Sequence, residues 1–503
     1  MPTPSEQTVK GATLSATTDE NPPASDLRRE LLRRFAVGPL WLSLSFRYAP
    51  ALAGAAAALP RDADAAAAGA GDYEVLVDSQ AGITVDENVF GWSILHGGQS
   101  YFSANLTPEG GAKGGKMTFK WSRMFADWNL VEKSPGQYDW TSGGAVGKNV
   151  QGRADYFAAR DLSWVLVLEP GRHPAFHNGS PHGPPSNEDA YRNYVTAALD
   201  RFVGKGLRVI EMSNEPESGG WWGTLGHKPQ GAIELRQAAR EQAPWARVAK
   251  ETVNAYNAAH GTRIEVWGCG CQSMADPRPE TGLARNWCDP SPQANQLFKG
   301  PGFLNGPDGK GGTAIDWLDR FSFHGYPSPS DDYSLLPGLF LKARSWLKAA
   351  GKPDLPMAVT EQGVASFRFN EKTNKGDRKH REWKTDSSYT GGKSPMTELE
   401  RTRWVLTSFG IAAAYQARMI YYAWDEARMG IYGYNNGPDS GSPTAALGWL
   451  PEHEKIETKY NALRKLLLTP RNRIFQLRER LSDKQFSLLV GPDRNSATFY
   501  PLE

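Results

Sequence analysis

From residue 73 onward the chain repeats one pattern eight times: a short apolar or β-branched run followed by a stretch of helical periodicity. The runs fall at 90–96, 117–124, 163–169, 208–213, 264–272, 321–326, 357–360 and 419–424. Between them, segments such as 190–203 and 399–416 place apolar residues at i, i+3 and i+4. Alternating strands and helices build a parallel sheet, and eight parallel strands close a (β/α)8 barrel. A doubly wound open sheet would also alternate, but it needs a glycine-rich dinucleotide turn after its first strand, and none is present. The expected fold class is therefore α/β, a (β/α)8 TIM barrel with long active-site loops. Barrels of this kind use roughly 250 to 400 residues as one unit. With 40% hydrophobic residues, 17 Trp and 18 Tyr in 503 residues, there is apolar material for a single large core.

Three regions follow. Residues 73–470 are the barrel, ending in a helix at 456–468. Residues 471–503, with their alternating runs around 473 and 485, form a small C-terminal β segment expected to pack on the barrel. Residues 1–72 have a different character: a polar start, then Leu27-Arg28-Arg29-Glu30-Leu31-Leu32, an apolar run over 35–46 and an Ala-rich stretch. Basic, apolar and small-residue segments in that order make a signal peptide, and the paired arginines resemble a bacterial twin-arginine signal. The protein is thus expected to be exported, to the periplasm or beyond; a disordered N-terminal tail is the alternative. A membrane span is not expected, because Arg47 interrupts the apolar run.

The 57 Lys+Arg against 55 Asp+Glu leave a net charge of +2, so nothing electrostatic calls for nucleic acid. Three cysteines, Cys269, Cys271 and Cys288, are too few for a disulfide scaffold and lack Cys-x-x-Cys spacing. Cys269 and Cys271, two apart on one strand, point the same way, and a bridge from either to Cys288 is conceivable.

In such a barrel the chemistry sits at the C-terminal ends of the strands. The fourth run closes Glu211-Met-Ser-Asn214-Glu215-Pro216-Glu217, and the seventh continues Thr360-Glu361-Gln362-Gly363. Two carboxylates at one barrel mouth suit glycoside cleavage, which needs one group to protonate the departing oxygen and one to attack the anomeric carbon.

These motifs resemble the retaining glycoside hydrolases of clan A, most similarly glycoside hydrolase family 39 and its relatives. The resemblance spans roughly residues 85 to 470. It implies that Glu215, in Asn214-Glu215-Pro216, is the acid/base and Glu361 the nucleophile. It further implies that Arg123, in Lys120-Trp-Ser-Arg-Met, lies beside the nucleophile, that the Tyr326 hydroxyl of His324-Gly-Tyr326 bonds it, and that Trp424 lines the sugar subsite. Asn214 would bind a sugar hydroxyl, and His96 is placed to reach the same ring. The stretch Trp128…Glu132…Gly136-Gln-Tyr138-Asp-Trp140 resembles a segment after strand two of the same clan. Configuration would be retained by double displacement, Glu215 having its pKa raised by the neighbouring negative charge. No cofactor, metal ion or obligate protein partner is implied.

Each residue has a plainer alternative. Glu215 and Glu361 could be ordinary loop or N-cap carboxylates, Arg123 a structural ion pair with Glu211 or Glu169, and His324, Tyr326, His96 and Trp424 packing residues. Glu211, four residues before Glu215, is expected deeper on the same side in a structural ion pair. Glu169, Glu217, Asp425 and Glu426 compete for contacts to substrate. His173, His177 and His182 fall in one loop without the spacing of a metal site. The basic insertion at 367–394 would draw an acidic polysaccharide to the active-site face, or is simply a solvated loop. Trp221-Trp222 extends the aromatic lining toward a polymer, or packs in the core. The expected substrate is an oligo- or polysaccharide. Two other functions use the same barrel: a transglycosylase, and a catalytically silent glycan binder in exopolysaccharide export.

Overall fold

The computed structural model describes residues 73–78, 89–93, 119–141, 149–168, 187–218, 232–271, 287–290, 301–326, 336–363, 369–370, 375–376, 408–413, 415–422, 473–479, 485–490 and 497–501, with a few isolated positions. The signal segment, His96, Trp424, Glu169, the histidines at 173, 177 and 182, Trp221-Trp222 and most of the basic insertion lie outside them.

Numbered in chain order, the strands are β1 (Tyr73–Asp78), β2 (Phe90–Trp92), β3 (Trp121–Ala126), β4 (Glu132–Ser134), β5 (Gln137–Tyr138), β6 (Ser163–Leu168), β7 (Leu207–Glu211) and β8 (Glu265–Cys271). They continue with β9 (Arg320–His324), β10 (Met357–Gln362), β11 (Phe369–Asn370), β12 (Lys375–Gly376), β13 (Arg418–Tyr421), β14 (Arg473–Glu479), β15 (Gln485–Val490) and β16 (Ala497–Pro501). Eight of them close a barrel in the order β2-β3-β6-β7-β8-β9-β10-β13 and back to β2. Every neighbouring pair is parallel. Each barrel strand falls on one of the eight runs read from the sequence. Strand β3 lies later than the expected 117–124, and β10 continues past the expected 360 through Gln362, so that Glu361 sits inside the strand.

The helices form for local reasons. Helix α1 (Val150–Ala158) begins at Asn149, whose side chain accepts from Gly152 N. Helix α2 (Glu188–Phe202) is capped by Asn187, which accepts from the amides of Asp189 and Ala190, and two acidic residues in its first turn suit the helix dipole. Its buried face is Tyr191, Tyr194, Val195, Ala198, Leu199 and Phe202. It ends through Gly206 at φ 90°, where a Cβ would lie 2.4 Å from the Leu162 carbonyl, so only glycine turns the chain into β7. Helices α3 (Ala232–His260) and α4 (Leu336–Ala349) follow. Of the helix expected at 399–416, residues 408–413 are helical. No helix among the described residues is long and apolar enough to cross a membrane.

Strand alternation sorts side chains into two cores. Trp121, Val165, Val209, Trp267, Ala358 and Ile420 form a small cluster inside the barrel, while their neighbours Met124, Leu166, Ile210, Met212 and Val359 belong to the larger one between strands and helices. The strand starts are closed by Glu265, whose Oε2 accepts from Trp267 Nε1 at 2.7 Å and from Arg320 and Arg418, each at 3.1 Å.

Strands β14, β15 and β16 form an antiparallel meander, which β1 joins through antiparallel pairing with β14. Tyr73–Asp78, placed at the head of the barrel region by the sequence, is thus a strand of the C-terminal sheet. Its five register pairs with Phe475 to Glu479 span a chain separation that periodicity alone does not reveal.

Helices α2 and α3 are tied by ions. Glu251 accepts from Arg192 at 2.5 Å, Arg247 at 3.0 Å and Lys310 at 3.2 Å, and Arg247 also reaches Glu188 at 2.6 Å. Burial pushes the Glu251 carboxyl up, but these cations bring it down to about 2. A depressed folded-state pKa gives stability that is present above the unfolded value and lost as pH falls through the folded one. Wild type should therefore lose part of its urea stability between about pH 4.5 and about pH 2. Glu251→Gln should lose less over that window, as read by unfolding midpoints at each pH.

Candidate active site

Arg123 is the third residue of β3 and follows Trp121 by two, so it points into the barrel one layer above that tryptophan. It is 1% exposed and spends all three guanidinium nitrogens on side chains from two other strands and a loop. Nε donates to Glu211 Oε2 at 2.6 Å, Nη1 to Glu361 Oε1 at 2.6 Å and Nη2 to Asn214 Oδ1 at 3.0 Å. The two roles weighed for Arg123, clamp on Glu361 and structural partner of Glu211, coexist in one side chain. Burial works against the guanidinium charge, but Glu211 and Glu361 more than offset it and raise the pKa of Arg123. Glu211, fully buried, accepts a second bond from Thr360 Oγ1 at 2.8 Å.

Glu361 reaches this cluster through a local irregularity. In β10, Ala358 packs inside the barrel and Val359 outside, so regular alternation would aim Thr360 inward and Glu361 outward. The ladders to β9 and β13 both shift register beyond Val359. Such a bulge re-aims side chains, and both Thr360 and Glu361 face the interior here. The second oxygen of Glu361 accepts from the Tyr326 hydroxyl at 3.2 Å and lies 3.5 Å from His324 Nδ1. Burial, with the charges of Glu361 and Glu215, holds the Tyr326 phenol well above its usual range, so the phenol keeps its proton to donate.

Glu215 stands just beyond β7 with φ +45°, a left-handed conformation uncommon for a side-chain-bearing residue. It is fixed by a bond from its amide to the Gly270 carbonyl at 2.8 Å. Gly270 sits at φ +60° with its Cβ direction only 2.2 Å from the Ser213 carbonyl, so no larger residue fits the platform. The Gly270 amide in turn donates to Ser322 Oγ at 3.0 Å, and the Ser213 hydroxyl donates to the Cys269 carbonyl. The Glu215 carboxyl meets His324 Nδ1 at 2.9 Å.

His324 Nδ1 therefore faces both carboxylates, and its ring is fully buried with no partner for Nε2 among the described residues. The sequence predicted a raised pKa for Glu215, and the structure reverses that sign. Burial does push Glu215 up, but the hydrogen bond and charge of His324 and the charge of Arg123 outweigh it and hold the carboxyl below its usual value. The sequence weighed only the negative neighbour, because it could not place His324 in contact.

Donor atoms of Glu215, His324 and Glu361 all lie within 4.8 Å of one another. Two oxygens and one nitrogen could hold a divalent cation, although Arg123 already supplies positive charge there. The cysteines are a second convergent group, but Cys271 and Cys288 are joined in a disulfide and Cys269 is the free thiol.

Six of the eight sequence-predicted site residues can be located. Arg123, Asn214, Tyr326 and Glu361 form one hydrogen-bonded group, and the bonded pair Glu215–His324 adjoins it through His324 Nδ1 at 3.5 Å from Glu361, while His96 and Trp424 lie outside the described residues. Three contributors were missed or left aside: Thr360, Gly270 and Ser322. Thr360 was legible by period-two spacing from Ala358; Gly270 and Ser322 carry no motif. Glu217 is 1% exposed, and its charge helps to raise the Cys269 thiol. The Trp128 segment is packing: Trp128 donates to Glu132 and stacks on Tyr194 at 5.0 Å, while β4 and β5 form a small hairpin.

No family model and no curated protein matches the chain. Among solved structures, the backbone is similar to a glucosidase from Croceicoccus marinus, with 10% identity, a TM-score of 0.42, and 83% of this chain and 75% of that one covered. It is also similar to the GH1 β-glucosidase of Exiguobacterium antarcticum, at 12% identity and a TM-score of 0.43 over 69% and 84% of the two chains. A third is the glycoside hydrolase family 17 β-1,3-glucanosyltransferase of Rhizomucor miehei, at 10% identity and a TM-score of 0.34 over 69% and 94%. The barrel assignment rests on the strand ladder itself.

Removing one partner of a buried ion cluster leaves an uncompensated charge. Arg123→Met should therefore destabilise the protein by about 3–5 kcal/mol. Arg123→Met combined with Glu211→Gln should recover part of that loss, as measured by denaturant unfolding of the single and double variants.

Proposed function

We propose that the protein is a retaining β-glycoside hydrolase acting on an oligo- or polysaccharide, with Glu361 as nucleophile and Glu215 as acid/base. The observation that carries the proposal is the meeting of two carboxylates from strands three positions apart in the barrel, β7 and β10, at a single imidazole nitrogen. One oxygen of each lies within 4.8 Å of one oxygen of the other. Retaining enzymes hold the pair about 5 to 5.5 Å apart, whereas inverting ones need roughly 6.5–9.5 Å to admit a water between them. A nearest approach this short goes with the closer of the two arrangements.

In the first step Glu361 Oε attacks the anomeric carbon while the glycosidic oxygen leaves with a proton from Glu215. In the second, Glu215 takes a proton from water, which displaces Glu361 and releases the sugar. The Glu215 carboxyl that delivers this proton is held in place by His324, whose Nδ1 lies 2.9 Å from Glu215 Oε1. Arg123 and Tyr326 hold Glu361 in one rotamer for attack. Arg123 also fixes Asn214 by its Oδ1, holding at the barrel mouth a residue proposed to meet a sugar hydroxyl. The chain is further proposed to be exported, on the order of basic, apolar and small-residue segments within residues 1–72.

Aryl β-glycosides together with neutral and acidic polysaccharides, assayed with wild type, Glu215→Gln and Glu361→Gln, test the proposal. Turnover should fall about 10²–10⁴-fold in each variant, and NMR should show the retained anomer forming first. Excess EDTA should leave the wild-type rate unchanged. A wild type that binds glycans and cleaves none would favour the silent binder, and inverted product would overturn the roles of both glutamates. Product chains longer than the substrate would identify sugar, rather than water, as the acceptor.

A further inference from the structure

Among the described residues, the cluster at the barrel mouth carries more negative charge than positive. Arg123 stands against the carboxylates of Glu211, Glu361 and Glu215. Its guanidinium nitrogens are spent on Glu211 Oε2, Glu361 Oε1 and Asn214 Oδ1. The second oxygen of Glu361 and Oε1 of Glu215 meet instead at His324 Nδ1, at 3.5 Å and 2.9 Å. A neutral imidazole between two carboxylates leaves a surplus of two negative charges in this cluster.

The spacing of these donors suits a metal ion. Ligands held about 2.0–2.2 Å from one zinc lie roughly 2.8–3.5 Å from their neighbours, from octahedral to tetrahedral corners. Both nitrogen–oxygen separations fall there, and one donor atom from each of Glu215, His324 and Glu361 lies within 4.8 Å of the other two. An imidazole nitrogen with carboxylate oxygens favours a borderline cation such as Zn²⁺ over Mg²⁺ or Ca²⁺, which take oxygens. The donors are also held ready and open to entry. His324 is fully buried, Glu361 is fixed by Arg123 and Tyr326, and the Glu215 side chain keeps 22% exposure. The cysteines, the other convergent donor group among the described residues, have two of their three sulfurs committed to a bridge.

We propose that Glu215, His324 and Glu361 form a three-ligand site for Zn²⁺ that blocks the active site when filled. The cation takes the place of the hydrogen that joins His324 Nδ1 to Glu215, and its two charges match the surplus of the cluster. Three protein ligands leave a fourth tetrahedral position for water. Because the ion occupies both proposed catalytic carboxylates, it acts as an inhibitor competing with the glycoside, and the chemistry itself needs no metal. That inhibition rests on the proposed function, whereas the binding is read without substrate and stands apart from it.

The test uses the full chain, stripped with EDTA, desalted and titrated with Zn²⁺ by calorimetry. One bound equivalent per chain is expected, with affinity at least about tenfold weaker in Glu215→Gln and in His324→Asn. A variant with His173, His177 and His182 all changed to Ala should bind as wild type does. Equal affinity in wild type, Glu215→Gln and His324→Asn overturns the site, as does a folded wild type that takes up no Zn²⁺ or a loss confined to the triple variant. Circular dichroism checks each fold, and should His324→Asn fail to fold, the isosteric Glu215→Gln decides. Zn²⁺ should also raise KM for an aryl β-glycoside with kcat unchanged, and EDTA should reverse it. Zn²⁺ that binds while hydrolysis continues at the same KM overturns the blockade. A chain that binds Zn²⁺ through these residues and cleaves no glycoside sinks the proposed function and leaves the metal site standing.

Discussion

A single buried guanidinium organises this barrel's interior. Arg123 cannot be solvated at 1% exposure, so its charge must be met by the protein, and it is met twice, by Glu211 below and Glu361 above. Buried ion pairs contribute little net stability relative to apolar packing, but they are severe about geometry, since any partner withdrawn leaves a charge in a low dielectric. Arg123 thereby fixes the relative positions of β3, β7 and β10 at the level where the strands end. Asn214, bound by the remaining nitrogen, extends this constraint to the loop that carries Glu215. Glu211 is a structural partner that allows Arg123 to be there, and Glu361 is the partner exposed to the mouth of the barrel.

The two glutamates at the mouth are aimed by departures from regular structure. A register shift in β10 turns Glu361 inward, against the alternation of Ala358 and Val359. A left-handed backbone at Glu215, held by the Gly270 carbonyl, turns that side chain toward His324. Strain and bulges of this kind persist only where surrounding contacts over-determine them. Here those contacts are Ser213, Gly270 and Ser322, small residues that let neighbouring strands approach closely. Beneath them, Trp121, Trp267 and the Glu265 ion cluster close the strand starts, so the interior is filled from that end and the Arg123 cluster lies toward the other.

His324 changes the electrostatics of the pair. With two carboxylates in proximity, simple repulsion would raise the pKa of one of them. Here the hydrogen bond and charge of the buried imidazole, with the charge of Arg123, outweigh burial and reverse the direction for Glu215. A His and a Glu 109 residues apart in sequence can be recognised as motif members separately, but their contact follows only from the closure of β7, β8 and β9 side by side.

The sequence by itself determined the eight-stranded barrel, because burial on both faces of a parallel sheet forces apolar runs and helical amphipathicity forces a 3.6-residue period, and both are written in single residues. It also singled out Glu215 and Glu361 as carboxylates closing two of those runs, while Arg123, Asn214, His324 and Tyr326 were named through the resemblance to clan A glycoside hydrolases. Only the tertiary structure decided that Arg123 serves Glu211 and Glu361 at once and that Glu361 lies within β10 behind a bulge. It also decided that Cys271 rather than Cys269 holds Cys288, and that Tyr73–Asp78 pairs with β14 across the length of the chain. These are outcomes of register and long-range closure, and no local pattern of residue types encodes a distance between segments that meet only after the barrel has closed.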